Sequence, residues 1–214
     1  MALAKMTYDE LNQLVGYKVS EPFEEFFEPM RFSRERKLKR IAIAEELEEI
    51  FLAMLVECFY AEQIDSVVSA DIINRTRDRY ANIIRDYIDG YVAYEYLVNH
   101  GTAVISDAIA VLYRHRDDPF YYSADRARAI AENDSNSIWN YTEYEEAVRN
   151  KHNKTWHTVM DGHERDSHAE VNGKTLPINE PFHLQGGNCQ YPRDESYGMS
   201  DEEICGCRCW LTFS

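Results

Sequence analysis

The stretch RERKLKRIAIAEELEEIFLAMLVECFYAEQ, residues 34–63, decides the fold of the first half of the chain. Its apolar residues recur at steps of three and four, the spacing of one face of an α-helix. Ser33 directly precedes it and can cap the first turn, because its hydroxyl accepts a hydrogen bond from a free N–H group there. The pattern predicts a long helix with these core residues: Leu38, Ile41, Ala42, Leu47, Ile50, Phe51, Met54, Leu55 and Phe59.

The next segment also has helical periodicity. Ser69 or Asp71 is the predicted start of a second helix that runs to Leu97, and Gly101 is its predicted stop. Residues 102–114 are predicted to form a third, shorter helix. Few helix breakers interrupt this half, so it reads as long antiparallel helices.

A break at residues 117–119, Asp-Asp-Pro, separates this half from the rest. One more helix follows, capped by Ser123, and then residues 155–160 and 208–213 alternate like short strands around a polar segment rich in glycine and proline. The sequence therefore predicts an α+β protein. A mostly helical domain, residues 1–118, precedes a small loop-rich domain of helix and short strands, residues 119–214.

Composition restricts the function. The 214 residues include 23 basic and 38 acidic side chains, a formal net charge of −15, which repels duplex DNA. No apolar run approaches the roughly 20 residues that span a bilayer, and the start lacks the apolar core of a secretory signal, so we expect a soluble protein made in a cytoplasm. The basic segment Arg31–Arg40 is either a solvated helix face or a contact with packaged DNA or an acidic protein.

Cysteines are unevenly placed. Cys58 lies in an apolar run and is predicted to be a buried core residue. The other four are Cys189, Cys205, Cys207 and Cys209. In a cytoplasmic protein such clustering points to metal or redox chemistry before a disulfide framework.

Four motifs after residue 153 carry the signature: KTWHTVMDGHERDSH (154–168), VNGKTLPINEPF (171–182), YPRD (191–194) and EEICGCRCWL (202–211). Together, over residues 120 to 213, they resemble the bacteriophage Mu F-like family of head morphogenesis, or minor capsid, proteins. The matching positions are Lys154, Trp156, Asp161, Arg165, His168, Gly173, Glu180, Pro181, Phe182, Pro192, Asp194, Cys207, Arg208 and Cys209. Gly206 and Asn172 depart from the family pattern, and Cys189 and Cys205 are additional to it.

The resemblance implies a structural protein without catalytic activity. Such a protein joins the head beside the portal, with portal, capsid or scaffold proteins as partners, and can influence DNA delivery. It would be made in the host cytoplasm and end in the virion, inside the capsid near the portal, and no membrane is implied.

The cysteine and histidine residues suggest a metal site. Cys207 and Cys209 are predicted to lie on a strand, two residues apart and so on the same face, and Cys205 would share that face. With His168 they form a zinc-type ligand set, and Cys189, Cys205 or His163 is the candidate fourth ligand. Buried thiols beside a hydrogen-bonded histidine, and a disulfide, are the alternatives.

Other signature residues point to structural roles. Arg165 and Arg208 carry five donors each, which suits clamping carbonyl groups or a carboxylate such as Asp161 or Asp194. Gly173 is predicted to sit in a two-residue hairpin turn between strands 169–171 and 175–178.

Two other functions are the alternatives for this sequence. A zinc-dependent hydrolase would use His163 and His168, but their spacing of five does not place two ligands on one helix face. A phage-borne effector would need a domain after Cys209, and only five residues follow, which disfavours it.

Overall fold

The computed structural model describes residues 23–61, 66–88 and 93–214. The helices are α1 (Glu24–Phe27), α2 (Arg34–Tyr60), α3 (Ser66–Tyr87), α4 (Tyr94–Arg114), α5 (Ala124–Ala147), α6 (Asp166–Val171) and α7 (Asp201–Ile204), with a 3₁₀ turn at Pro119–Tyr122. The strands are β1 (Asn153–His157), β2 (Thr175–Pro177), β3 (Phe182–Leu184), β4 (Gly187–Cys189) and β5 (Trp210–Phe213). This is the predicted α+β class, with most helix in the first half.

The chain forms two compact units. Of the described residues, the first unit contains Phe23 and the described part of 42–132, and the second contains 24–41 and 133–214. Helices α2 and α5 each contribute residues to both units. No helix in the described ranges is long and apolar enough to cross a membrane.

The first unit has an apolar core, and α2 contributes more buried residues to it than any other described helix. Ile43, Leu47, Phe51 and Leu55 are fully buried, and so is Cys58. Burial, with the nearby charge of Glu57, raises the pKa of the Cys58 thiol to about 12. The prediction that Cys58 is a buried core residue is therefore confirmed.

The predicted helix boundaries around Gly101 are wrong. The second helix begins at Ser66 and ends at Tyr87, and the third, α4, runs through Gly101. A Cβ at position 101 would lie 2.6 Å from Cδ1 of Tyr80, which is impossibly close. The glycine is there because α3 and α4 approach each other closely, so it marks a helix contact and not a helix stop.

The start of α2 belongs to the second unit and is anchored by charge. Ser33 caps it as predicted, since its Oγ accepts from the N–H of Arg36 at 3.3 Å. Arg36 and the fully buried Arg40 both pair with Glu143 of α5. Leu38, predicted to face the core, is 52% exposed because the arginine face of the helix turns inward.

The second unit contains a three-stranded antiparallel sheet in the order β2–β1–β5 and a β3–β4 hairpin. The two predicted strands are present, at 153–157 and 210–213. The predicted hairpin around Gly173 is wrong, because residues 166–171 form α6 and β2 pairs with β1. Gly173, with φ +78°, follows the helix, and its N–H donates to the carbonyl of Trp156 at 2.8 Å.

Candidate metal centre

His168 lies in the middle of α6, a helix of six residues. Its side chain is buried, and its ring meets that of Trp156 edge to face at 5.8 Å. Thr158, just after β1, donates its hydroxyl to the carbonyl of His168 at 3.0 Å. The imidazole is therefore held between α6 and the end of β1.

Cys207 and Cys209 are both buried and lie in the loop directly before β5, not on the strand as predicted. Two side-chain amides of α5 hold their backbone: Asn136 donates to both cysteine carbonyls at 3.2 and 3.3 Å, and Asn140 donates to that of Cys209 at 3.1 Å. With their carbonyls bound to α5, both thiols reach His168.

The three side chains form one compact group. Their ligand atoms all lie within 4.8 Å of one another, in the part of the chain that the structure describes. Nδ1 of His168 is 3.8 Å from Sγ of Cys207 and 3.3 Å from Sγ of Cys209. A tetrahedral zinc ion with ordinary zinc–nitrogen and zinc–sulfur bonds would separate such atoms by about 3.6 Å. The two distances bracket that value, so the group fits zinc.

The electrostatics of the group favour a charged pair. A hydrogen bond with Cys209 lowers the pKa of Cys207 well below its usual value, against the effect of burial and with help from His168. Burial raises the pKa of Cys209. Burial opposes protonation of His168, but the hydrogen bond and charge of Cys207 and the charge of Glu203 raise its pKa overall. The shifts of Cys207 and His168 thus have the same origin, because the charged form of each group favours the charged form of the other.

The structure does not bring the other candidate ligands into this group. Cys205 directly follows α7 and is exposed, because the turn at Gly206 (φ +68°) interrupts the alternation that would put it beside Cys207. His163 is exposed as well. Cys189 is buried at the end of β4, in the same core cluster as Cys207 and Cys209.

The other signature residues make contacts within this unit. Arg208, between the two cysteines, donates to Asp161 at 2.6 Å, and Arg165 donates to the carbonyl of Cys205. The two arginines therefore bind a carboxylate and a carbonyl. Asp161 does not pair with Arg165 across one turn, although their spacing would allow it.

The remaining signature side chains support loops and the core. Trp156 and Phe182 are fully buried and meet edge to face at 5.1 Å, next to the half-buried Pro181. Asp194 is buried and accepts from the backbone N–H groups of Gln190 and Ser196 at 2.8 and 2.9 Å, which closes its loop.

Comparison with known proteins now identifies the family. A family model described as phage Mu protein F like protein matches residues 101–212, slightly more than half of the chain. The chain belongs to this family. The Mu F-like match contains His168, Cys207 and Cys209 and every signature residue described above.

One curated relative of this Mu F-like chain is the NAD(+)–arginine ADP-ribosyltransferase EFV of Enterococcus faecalis strain V583. It is 34% identical over 56 residues, which are 26% of this chain and 11% of the relative. Because so little of that protein is covered, its activity is not carried over. No solved structure matches the chain.

The sequence did not predict three residues that contact His168, Cys207 or Cys209 in this Mu F-like chain. Asn136 and Asn140 lie four residues apart, and this spacing on a helix with few apolar neighbours was a usable signal of a polar contact. Glu203 sits in an acidic run that resembles an ordinary solvated helix start. Only the fold shows that it is buried.

The basic segment Arg31–Arg40 is largely used within the second unit. Besides the pairs of Arg36 and Arg40 with Glu143, Lys37 pairs with Glu28 at 2.9 Å and Lys39 with Glu35 at 3.0 Å. Arg31 and Arg34 are exposed.

Proposed function

We propose that this Mu F-like chain is a structural minor head protein that acts in capsid assembly beside the portal and has no catalytic activity of its own. The observation that supports this proposal is that the side chains of the family signature are engaged in contacts within the protein. The signature's arginines bind Asp161 and a backbone carbonyl, its aromatic residues form the core, and its cysteine pair is buried against His168. Side chains engaged in this way build a fold and leave little for a substrate.

The partners that suit this role are the portal and the capsid or scaffold proteins of the same phage. On this proposal the chain is made in the host cytoplasm, enters the procapsid and remains inside the virion near the portal, where it can influence DNA delivery.

The direct test is mass spectrometry of procapsids and virions from the phage that encodes the chain. We expect the protein in both, and we expect it to copurify with portal when the two are coexpressed. The variant Trp156→Ala, which removes a fully buried core side chain, should reduce head formation. The variant Glu146→Ala, at an exposed site on α5, should not. Absence of the protein from both particles would refute the proposal.

Arg31 and Arg34 are proposed to form a small contact surface for packaged DNA or an acidic protein. With a net charge of −15, strong free-standing DNA binding is not expected. Crosslinking of the chain to packaged DNA or to an acidic protein in filled heads should fall in the Arg31→Glu, Arg34→Glu double variant. It should stay unchanged in Lys39→Gln. A tight, sequence-independent gel shift of the isolated protein at physiological salt would contradict this expectation.

We also propose that His168, Cys207 and Cys209 hold a structural zinc ion. The support is the fit of the distances, the burial of all three side chains and the short strands of this unit, which a metal would tie together. Cys189 is the buried candidate for a fourth ligand, and Cys205 is the exposed one.

Elemental analysis of protein carrying no affinity-tag histidines tests the site. We expect close to one zinc per chain in wild type and in Cys205→Ser, and loss of zinc in Cys207→Ser and Cys209→Ser. Chelation should increase hydrogen exchange beyond residue 153 while the helices of the first unit stay protected. Less than about 0.2 zinc per chain in wild type would refute a structural zinc site, whose metal should be near stoichiometric.

The cobalt(II) form tests the fourth ligand, because its charge-transfer absorption grows with the number of thiolates bound. If Cys189 is a ligand, Cys189→Ser weakens this absorption. If Cys205 is the ligand, as the sequence alone allows, Cys205→Ser weakens it instead.

A further inference from the structure

A carboxylate lies behind the imidazole of His168, on the side away from the cysteines. Oε2 of Glu203 is 2.8 Å from Nε2 of His168, which is an ion-pair distance. Glu203 is only 7% exposed. Burying a carboxylate is costly unless other groups satisfy it, so its position needs an explanation.

The carboxylate is held in place by two other donors. Ser167 donates its hydroxyl to both oxygens of Glu203, at 2.8 Å and 3.1 Å, and the N–H of Gly186 donates at 3.0 Å. Position 186 must be glycine, since a Cβ there would come within 2.5 Å of Cγ of Glu203 and 2.3 Å of Oγ of Ser200. The turn before β4 therefore approaches the carboxylate as closely as backbone can.

This arrangement favours the hydrogen on one ring nitrogen through charge, because Nε2 and Oε2 are in contact at 2.8 Å without the alignment of a hydrogen bond. A neutral imidazole has one N–H and one bare nitrogen, and a carboxylate favours the hydrogen on the nitrogen nearest to it. With Glu203 beside Nε2, the bare nitrogen is Nδ1, which faces both sulfur atoms. A metal-binding histidine commonly has its other nitrogen fixed by a carboxylate in this way.

We propose that Glu203 is a positioning residue for the metal centre: it keeps the hydrogen of His168 on Nε2 and so presents Nδ1 to the ion. The zinc-binding part of this inference rests on the proposed structural zinc site. Loss of such an outer carboxylate typically lowers metal affinity by about 10–100-fold.

Zinc affinity of the full chain, measured by competition with a chromophoric chelator, is the first test. We expect a loss of about 10–100-fold in Glu203→Ala, the range typical of outer-shell partners. The loss should be smaller in Glu203→Gln, whose amide oxygen can still face Nε2. The exposed neighbour Glu202 provides the matched control, and Glu202→Ala should leave the affinity unchanged. A zinc affinity of Glu203→Ala within twofold of that of wild type overturns the proposal.

A second measurement separates positioning from general support of the fold. Because Glu203 also binds Ser167 and Gly186, its loss will lower stability with or without metal. Positioning predicts a larger loss of stability in zinc-loaded than in metal-free protein, and equal losses overturn it. Gly186→Ala, which crowds the carboxylate without removing it, should reproduce the zinc defect in a chain that keeps Glu203.

The third measurement distinguishes failure of this inference from failure of the zinc site. Long-range proton–nitrogen NMR of metal-free protein, at a pH where His168 is neutral, shows which ring nitrogen carries the hydrogen. We expect Nε2 in wild type and a mixture in Glu203→Ala. Hydrogen on Nδ1 in wild type overturns the role of Glu203. A wild-type chain that binds no zinc but has the hydrogen on Nε2 refutes only the metal.

Discussion

The two units of this Mu F-like protein are held by different kinds of contact. Among the described residues, 13 of the 15 buried polar or charged side chains belong to the second unit, and only Glu48 and Thr76 belong to the first. The first unit is an apolar helix core, and the second combines an apolar core with buried ion pairs, amides and a lysine. A polar interior has more to lose from a single change, because a buried charge left without its partner is costly.

The largest expected effect is at Glu143, the shared partner of Arg36 and the fully buried Arg40. Glu143→Ala should destabilise the second unit by about 3–5 kcal/mol, since it leaves a buried guanidinium uncompensated. The exposed residue Glu146 on the same helix is the control, and Glu146→Ala should stay within about 0.5 kcal/mol. Denaturant unfolding measures both. An apolar pair, Arg40→Met with Glu143→Leu, should restore most of the loss.

The buried charge of Lys154 should make the stability of the second unit depend on pH. Lys154 is fully buried, and Nζ lies 4.9 Å and 5.3 Å from the ring centroids of Tyr144 and Phe182. Burial lowers its pKa from 10.5 to about 8, although nearby acidic groups, among them Asp194 and Glu180, oppose this. The unfolded chain therefore binds the proton more tightly, and stability should rise as the pH increases from about 8 to about 10.5.

The rise should reach about 3 kcal/mol at most, at 1.4 kcal/mol per pKa unit. It is read as the difference in unfolding free energy between wild type and Lys154→Met, which removes this titration. The exposed Lys151→Met is the control and should follow wild type. A wild-type curve parallel to that of Lys154→Met would refute the prediction.

In the first unit the sensitive position is a close contact, not a charge. Gly101→Ala should cost about 1–3 kcal/mol, because the new methyl group collides with the ring of Tyr80 and overpacks the core. The better helix propensity of alanine offsets part of this, by roughly 0.5–1 kcal/mol. Gly101→Ala should cost less stability when Tyr80→Leu is also present. Thermal unfolding of wild type, the two single variants and the double variant gives the coupling energy between the two positions. Additive effects would show that the ring is not the obstacle.

The smallest effect is expected at the ion pair of Arg208 and Asp161, whose side chains are 21% and 32% exposed. Asp161→Asn should cost about 0.2–1 kcal/mol, as is typical of solvent-accessible pairs. Added salt should lower the unfolding free energy of wild type toward that of the variant. A loss above about 2 kcal/mol would show that this signature pair carries more of the fold than an ordinary surface ion pair.

Sequence reasoning works well for the long helices because their contacts are periodic. The repeat of apolar residues in α2 follows from helix geometry alone, and so does the cap at Ser33. It failed at Gly101, because the reason for that glycine lies in Tyr80, twenty-one residues earlier. It failed at Leu38 because a distant carboxylate, Glu143, draws the arginine face inward.

The candidate site was only partly predictable. The thiols of Cys207 and Cys209 and the ring of His168 follow from a motif that names chemically suitable residues, and the structure brings them together. Their strand setting does not follow, since the alternation that predicts it also fits a loop. Glu203 has no local signal at all, because its burial depends on the approach of Gly186 and α6.

The membership of residues 24–41 in the second unit has a consequence for synthesis on the ribosome. Arg36 is 107 residues before its partner Glu143. At about 5–20 residues per second, translation leaves this anchor without its partner for about 5–20 s. During that interval the start of α2 exposes its unpaired arginines and Phe32, whose ring contacts that of Trp210 at 5.4 Å in the folded protein. A chaperone or an early binding partner would bind there.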